Sequence, residues 1–243
     1  MKANLLPSFS ATMRWEGGDR LSLDRADPGN WTGGKVGVGV LKGTKWGVSA
    51  AAHPELNIGS LSINAAADIF KRDYWDQVGG DALPIGLDHC VSDCAYNSGP
   101  PRARALYAQA KGHAATVPSL IADFSEARLS FLHSLRIWTT FGRGWAARVA
   151  GVEAESLRMA GAPSGTIQSH ADAAQDVSSK HAKIAIGTAA AGSAGAAVAA
   201  PHPWIALLVF GVAAAVAIAF LWKSRANAHR AEALQSLASE KKK

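Results

Sequence analysis

Trp15-Glu16-Gly17-Gly18-Asp19, followed by Asp27-Pro28-Gly29-Asn30-Trp31-Thr32, is the stretch from which the rest of the chain is read. One carboxylate stands at the mouth of a glycine turn. A second carboxylate and a hydroxyl follow one short loop later. Acid-catalysed cleavage of a glycosidic bond needs that much: an acid to protonate the leaving oxygen, and a polar group opposite to hold water or stabilise the sugar cation. Glycines beside the acid let the backbone approach a bulky polymer. The motif is short, and a Glu beside a turn is most often merely solvated, so the flanking sequence has to carry the reading further.

Upstream, residues 1 to 15 read as a helix entry, with Ser8, Ser10 and Thr12 as candidate caps. Downstream, glycines at 33, 34, 37, 39 and 43 mark loop, and Val36, Val38 and Val40 alternate with them as in a small β-hairpin. Gly37-Val38-Gly39 lacks the third glycine and the surrounding βαβ unit of a dinucleotide site. Lys35 is followed by no Ser or Thr and makes no phosphate loop.

Helical spacing begins near Ser62 and closes on Tyr74 and Trp75. A buried helix is expected over Ile85–Asn97, stopped by Ser98-Gly99-Pro100. A short helix follows from Arg102 to Lys111. Two more are expected at Glu126–Thr139 and Trp145–Arg158. The pattern defines a mostly α domain with a small β flap. From Gly161 to Ser179 the residues turn small and polar and read as a linker.

Two apolar stretches come next. Trp204–Trp222 carries no charge and has a Trp at each end, and its length of roughly 28 Å matches a bilayer's hydrocarbon. Ile184–Ala200 is nearly all Ala and Gly. Either it pairs with the first stretch through Gly187, Gly192 and Gly195, with Pro201-His202-Pro203 as the turn, or it is a spacer and one helix spans. Lys223, Arg225, Arg230 and the Lys tail favour the cytoplasm after the span. One span would leave the N-terminal domain outside, facing the cell wall. A hairpin would keep both ends inside, with Lys180 and Lys183.

Composition narrows the partners. The 243 residues carry a net charge of +6, which suits an anionic partner. The sole pure basic run is Lys241-Lys242-Lys243, which argues against nucleic acid. The N-terminus has no secretory apolar core. Cys90 and Cys94 lie four apart on one helix and read as two small buried side chains. His89 beside them does not complete a zinc set, so no metal and no cofactor is expected.

Together these motifs resemble glycoside hydrolase family 108, the holin-associated N-acetylmuramidases of phages, prophages and gene transfer agents. The resemblance covers about residues 8 to 160. It rests on Glu16-Gly17-Gly18, Asp27 to Gly34, Gly43 to Ser49, Ala65 to Phe70 with Asp73-Tyr74-Trp75, and Asp93 with Asn97-Ser98-Gly99-Pro100. Phe124 to Phe141, with Gly144-Trp145 and Arg148, resembles the helical peptidoglycan-binding module found with it.

The resemblance implies a lysozyme-like fold and a peptidoglycan hydrolase cleaving the β-1,4 bond after N-acetylmuramic acid. Glu16 would be the general acid, with Asp27 and Thr32 positioning water or bracing the sugar. Trp31, Asn97 and Trp145 would contact substrate; Trp75, one of an aromatic pair at a helix end, is more often a core residue, but such faces also stack on sugar rings and it is kept as a minor candidate. Where family members often carry Tyr after Glu-Gly-Gly, this chain has Asp19.

The implied organisation is a catalytic domain at 1–110, a binding module at 111–160, a linker at 161–183, membrane segments at 184–222 and a basic tail at 223–243. The implied partners are bacterial peptidoglycan, the lipid membrane and a holin. To act as an acid, Glu16 must hold its proton at neutral pH, which calls for desolvation by Trp15 or Trp31. Two rivals use the same residues differently. One is a lytic transglycosylase that needs no water. The other is a membrane-anchored wall-binding or holin-like protein.

Overall fold

The computed structural model describes residues 3–112, 115–163, 165–198 and 203–240; the side chains of 195–198, 203–206 and 240 are outside the description. The chain forms two compact units, Met1–Ile121 and Ala122–Lys243. Their boundary lies inside a helix.

The first unit is mostly α with a small β flap, as a lysozyme-like fold requires. Helix α1 (Leu5–Trp15) places Leu5, Phe9 and Met13 four residues apart on one buried face. These side chains meet Phe70, Trp75, Val48 and Ile58 in a single core cluster. Helix α2 (Ile63–Phe70) starts where the Ser62 hydroxyl accepts the Ala65 N–H at 3.2 Å. It widens into one π turn, Lys71–Trp75.

Helix α3 (Leu87–Ser98) is buried on most sides and carries Cys90 and Cys94 in the interior, as the sequence suggested. Gly99 takes φ +84° and ends it, and α4 (Pro100–Lys111) follows at once.

The flap is where periodicity misled. The two-stranded sheet pairs β1 (Thr44–Lys45) with β2 (Val48–Ser49), antiparallel. Val36, Val38 and Val40 form no strand and stay exposed. Gly37 and Gly39 between them sit at φ +78° and +79°, which breaks the extended chain at every second residue.

In the second unit, the remaining part of α5 (Val117–His133) is followed by α6 (Trp138–Met159), α7 (Gly165–Val198) and α8 (Pro203–Glu240). Leu129 and Leu132 of α5 share a core with Ala146 and Val149 of α6 and Ala226 of α8. The break expected between 139 and 145 falls earlier, at 134–137, and α6 runs through Gly142 and Gly144. A Cβ at Gly142 would press into the Trp138 indole, so this glycine seats an aromatic ring and does not end the helix.

The stretch read as a linker is helical from Gly165 onward. Ile167, Ala171, Ala174 and Ser178 recur on its buried face. Residues 201 and 202 of the expected turn lie outside the described residues.

Candidate active site

Glu16 is the C-cap of α1. Its N–H and that of Gly18 both donate to the Met13 carbonyl, each at 3.0 Å. Gly17 and Gly18 at φ +84° and +65° turn the chain away and leave Glu16 exposed at the helix end. Trp15, one of the two aromatics expected to shield it, is 46% exposed.

The Trp46 N–H donates to the Gly18 carbonyl at 3.2 Å and ties the turn to the flap. Trp46 holds φ +50°, the single described non-glycine residue at positive φ. Such a conformation persists only where the surroundings impose it.

Asp27 caps the short 3₁₀ turn Pro28–Asn30, its Oδ1 accepting the Gly29 N–H at 2.8 Å. It is exposed and therefore open to a ligand. The Trp31 indole N–H donates to the Arg25 carbonyl at 3.1 Å. Thr32 Oγ1 accepts the Val40 N–H at 2.8 Å, which leaves its hydroxyl proton to donate elsewhere.

Asn30 joins these pieces. It is fully buried, and its Oδ1 accepts the Thr44 hydroxyl at 2.7 Å while its Nδ2 donates to the Asp24 carbonyl at 2.9 Å. Its own carbonyl accepts the Lys42 and Gly43 N–H groups at 3.1 and 3.0 Å. The Asp27–Thr32 loop and the β1 edge are thereby one rigid piece. Asn30 stood inside the quoted motif without a role, because nothing in the letters showed that it points inward.

Beside the Glu16 turn lies an open cleft with a free volume of about 120 Å³. Met13, Trp46, His53, Tyr74 and Tyr96 help to line it. Tyr74 and Tyr96 meet edge to face, with centroids 5.0 Å apart. Burial, reinforced by the Asp73 charge, raises the Tyr74 phenol above its ordinary range, so it stays a neutral donor. The Tyr96 hydroxyl reaches the Gly47 carbonyl at 3.4 Å. A Cβ at Gly47 would collide with that hydroxyl, which is why a glycine follows Trp46. His53, Tyr74 and Tyr96 were not singled out from sequence as site residues.

Of the other expected contacts, Asn97 is exposed near the end of α3. Trp75 takes the core position that an aromatic pair at a helix end most often has: it is 0% exposed, its indole N–H donates to Asp81 at 2.9 Å, and Gly80 lies against its ring. It offers no face to a sugar and is a core residue. Trp145 belongs to the second unit, half-buried, and stacks on Phe141 with centroids 5.9 Å apart. Among the described residues no group of three or more His, Cys, Asp or Glu could hold a metal.

The family model described as Glycosyl hydrolase 108 matches residues 9–99, from α1 to the end of α3. The N-terminal unit belongs to that family and is a glycoside hydrolase domain. The chain is also similar to the solved structure of Brucella abortus SagA, at 27% identity and a TM-score of 0.51. That likeness covers 66% of this chain and 97% of the other. No curated protein matches it.

Proposed function

We propose that the chain is a peptidoglycan hydrolase that cleaves the β-1,4 bond between N-acetylmuramic acid and N-acetylglucosamine. Glu16 is the general acid. A glycan strand laid over the turn covers Glu16, which the chain leaves exposed. Asp27 and Thr32 hold the attacking water or brace the sugar cation. Trp31 and Asn97 contact the strand, and α5–α6, with Trp145, is the wall-binding module. The apolar C-terminal helix carries the enzyme at the inner membrane.

One observation supports this reading above the others: the acid-bearing turn is hydrogen-bonded to the wall of an open aromatic cleft. Sugar rings bind on aromatic faces, and Trp46, Tyr74 and Tyr96 present such faces here.

Glu16→Gln removes the proton and keeps the shape. It should abolish lysis of purified walls while the melting temperature holds. Lysis within about tenfold of wild type would remove Glu16 from the role. Muropeptides released by the native chain should carry reducing ends. Anhydro ends would make the enzyme a lytic transglycosylase instead, and folded protein with no released muropeptide would leave a wall-binding protein.

A further inference from the structure

Helices α7 and α8 run antiparallel as one hairpin. Ser178 meets Ser224 with hydroxyl oxygens 3.2 Å apart, and His181 faces Phe220 with ring centroids 5.6 Å apart. Further out, a Cβ at Gly192 would collide with Ala213. As numbers rise on one helix they fall on the other.

The proximal and distal parts of this hairpin have opposite chemistry. The proximal part sits in a water-soluble bundle. His170 of α7 and Arg230 of α8 both bond Glu153 of α6, and Ile167, Ala171 and Leu234 are buried there. The distal part is inside out. Its helix–helix face is built of small residues, with Ala185 and Ala217 buried. Its large apolar residues point outward: Ile186 is 68% exposed and Leu207 74%, with Phe210 and Ile218 near half. A water-soluble hairpin would place those side chains between its helices. Small faces inside and bulk outside is how helices pair in lipid.

Charge marks the junction. Between Lys183 and Lys223 the sequence has no Lys, Arg, Asp or Glu. Lys180 and Lys183 stand at the base of the α7 arm, and Lys223 and Arg225 at the base of the α8 arm. From Pro203 to Trp222 a helix rises about 30 Å, the thickness of a bilayer's hydrocarbon. A basic collar under an uncharged arm of that length matches anionic headgroups over an acyl layer.

We infer that the distal halves of α7 and α8 insert into the lipid bilayer as a hairpin, so that the chain enters and leaves the membrane on one side. This rests on the membrane part of the reading above and replaces its single-span version. Both arms emerge from the same end of one folded bundle, so neither flank has crossed. The collar assigns that side to the cytoplasm. The glycoside hydrolase unit is then held on the membrane face away from the wall, and it reaches its substrate only after the bilayer is breached.

The test uses the full chain made by cell-free synthesis with inverted inner-membrane vesicles, whose outer surface is the cytoplasmic face. Ser169→Cys lies before the arms, Ser236→Cys after them and Ser193→Cys within the α7 arm, all at exposed positions. Cys90 and Cys94 are buried, and the unsubstituted chain gives the background for a membrane-impermeant maleimide. Cysteines 169 and 236 should label in intact vesicles as fully as in detergent, and 193 only in detergent. If one flanking site alone needs detergent, the hairpin is overturned in favour of a single span; if both do, the assignment to the cytoplasmic side is overturned. If 193 labels in intact vesicles, the hairpin is not inserted. A chain that washes off in carbonate would overturn the membrane reading itself.

Discussion

Arg230 grips Glu153 with two parallel hydrogen bonds, Nε to Oε2 at 2.8 Å and Nη2 to Oε1 at 2.7 Å, and both side chains are buried. His170 adds Nδ1 on the same Oε1 at 2.8 Å. Three helices meet on one carboxylate. Burial opposes its ionisation, but the Arg230 charge and the hydrogen bonds from His170 and Arg230 outweigh it and hold Glu153 below the usual carboxylate range. Breaking such a pair leaves an uncompensated buried charge and costs about 3–5 kcal/mol. Glu153→Gln should lower the stability of the second unit on that scale, read as lost amide-exchange protection in α6. The sign of the pH effect follows. The folded-state value lies below the unfolded one, so the stabilisation is complete above the unfolded value. It fades as pH falls through the folded one. Acid unfolding of the native second unit should steepen below the ordinary carboxylate range, and Glu153→Gln should flatten it.

Asn30 makes the flap and the Asp27–Thr32 loop one body. Asn30→Ala would remove the partner of the Thr44 hydroxyl and of the Asp24 carbonyl, both only partly enclosed, and each lost hydrogen bond costs about 0.5–1.5 kcal/mol. The expected outcome is a lower melting temperature of the first unit together with loss of wall lysis. Thr44→Val removes one of those bonds from the other side and should cost less in both measurements. Equal lytic activity in Asn30→Ala and wild type would show that the loop holds without it.

Gly37 and Gly39 form a matched pair. Both sit at positive φ, where a side chain costs about 1–2 kcal/mol. A Cβ at Gly37 meets nothing, but at Gly39 it would strike Thr32 Oγ1. Both substitutions to Ala should lower stability, Gly39→Ala by more, because its Cβ also crowds Thr32 and the Gly33 backbone. Only Gly39→Ala should also displace the Thr32 hydroxyl and reduce lysis, by tenfold or more if that hydroxyl orients the water. Equal activity in the two variants would take Thr32 out of the mechanism.

Much of the scaffold was legible because its signals are local. A helix before Glu16, helical spacing from Ser62 and the Ser98-Gly99-Pro100 stop stand in the letters, although Ser8, Ser10 and Thr12, read as caps, lie inside α1, whose N-cap is Asn4. The failures share one cause: the deciding contact is distant in sequence or lies with a small residue. Val36, Val38 and Val40 alternate like a strand, but the glycines between them are bent to positive φ. Ile167, Ala171 and Ala174 look like linker because an alanine face carries little apolar signal until a partner helix covers it. At the site, the order of Glu16, Asp27 and Thr32 could be read. The bond from Trp46 to Gly18 and the seat of Tyr96 against Gly47 could not, since they join residues 28 and 49 apart in the chain.

Trp75 and Trp31 divide structure from recognition. Trp75 is enclosed, bonded to Asp81 and covered by Gly80. Trp75→Phe keeps an aromatic ring but loses volume and the N–H, leaving the Asp81 carboxylate without that donor. The cost should be about 1–3 kcal/mol, read in the melting temperature. Sedimentation with purified peptidoglycan should not change below the new transition. Trp31 is half-buried beside Asp27 and Thr32, and its indole N–H donates to the Arg25 carbonyl. Trp31→Ala should leave the melting temperature within a few degrees and weaken peptidoglycan binding and lysis together. Weakened binding by Trp75→Phe at a temperature where the variant is folded would restore Trp75 as a sugar contact. Unchanged binding by Trp31→Ala would move the glycan track away from the Asp27 loop, toward the Tyr74 and Tyr96 side of the cleft.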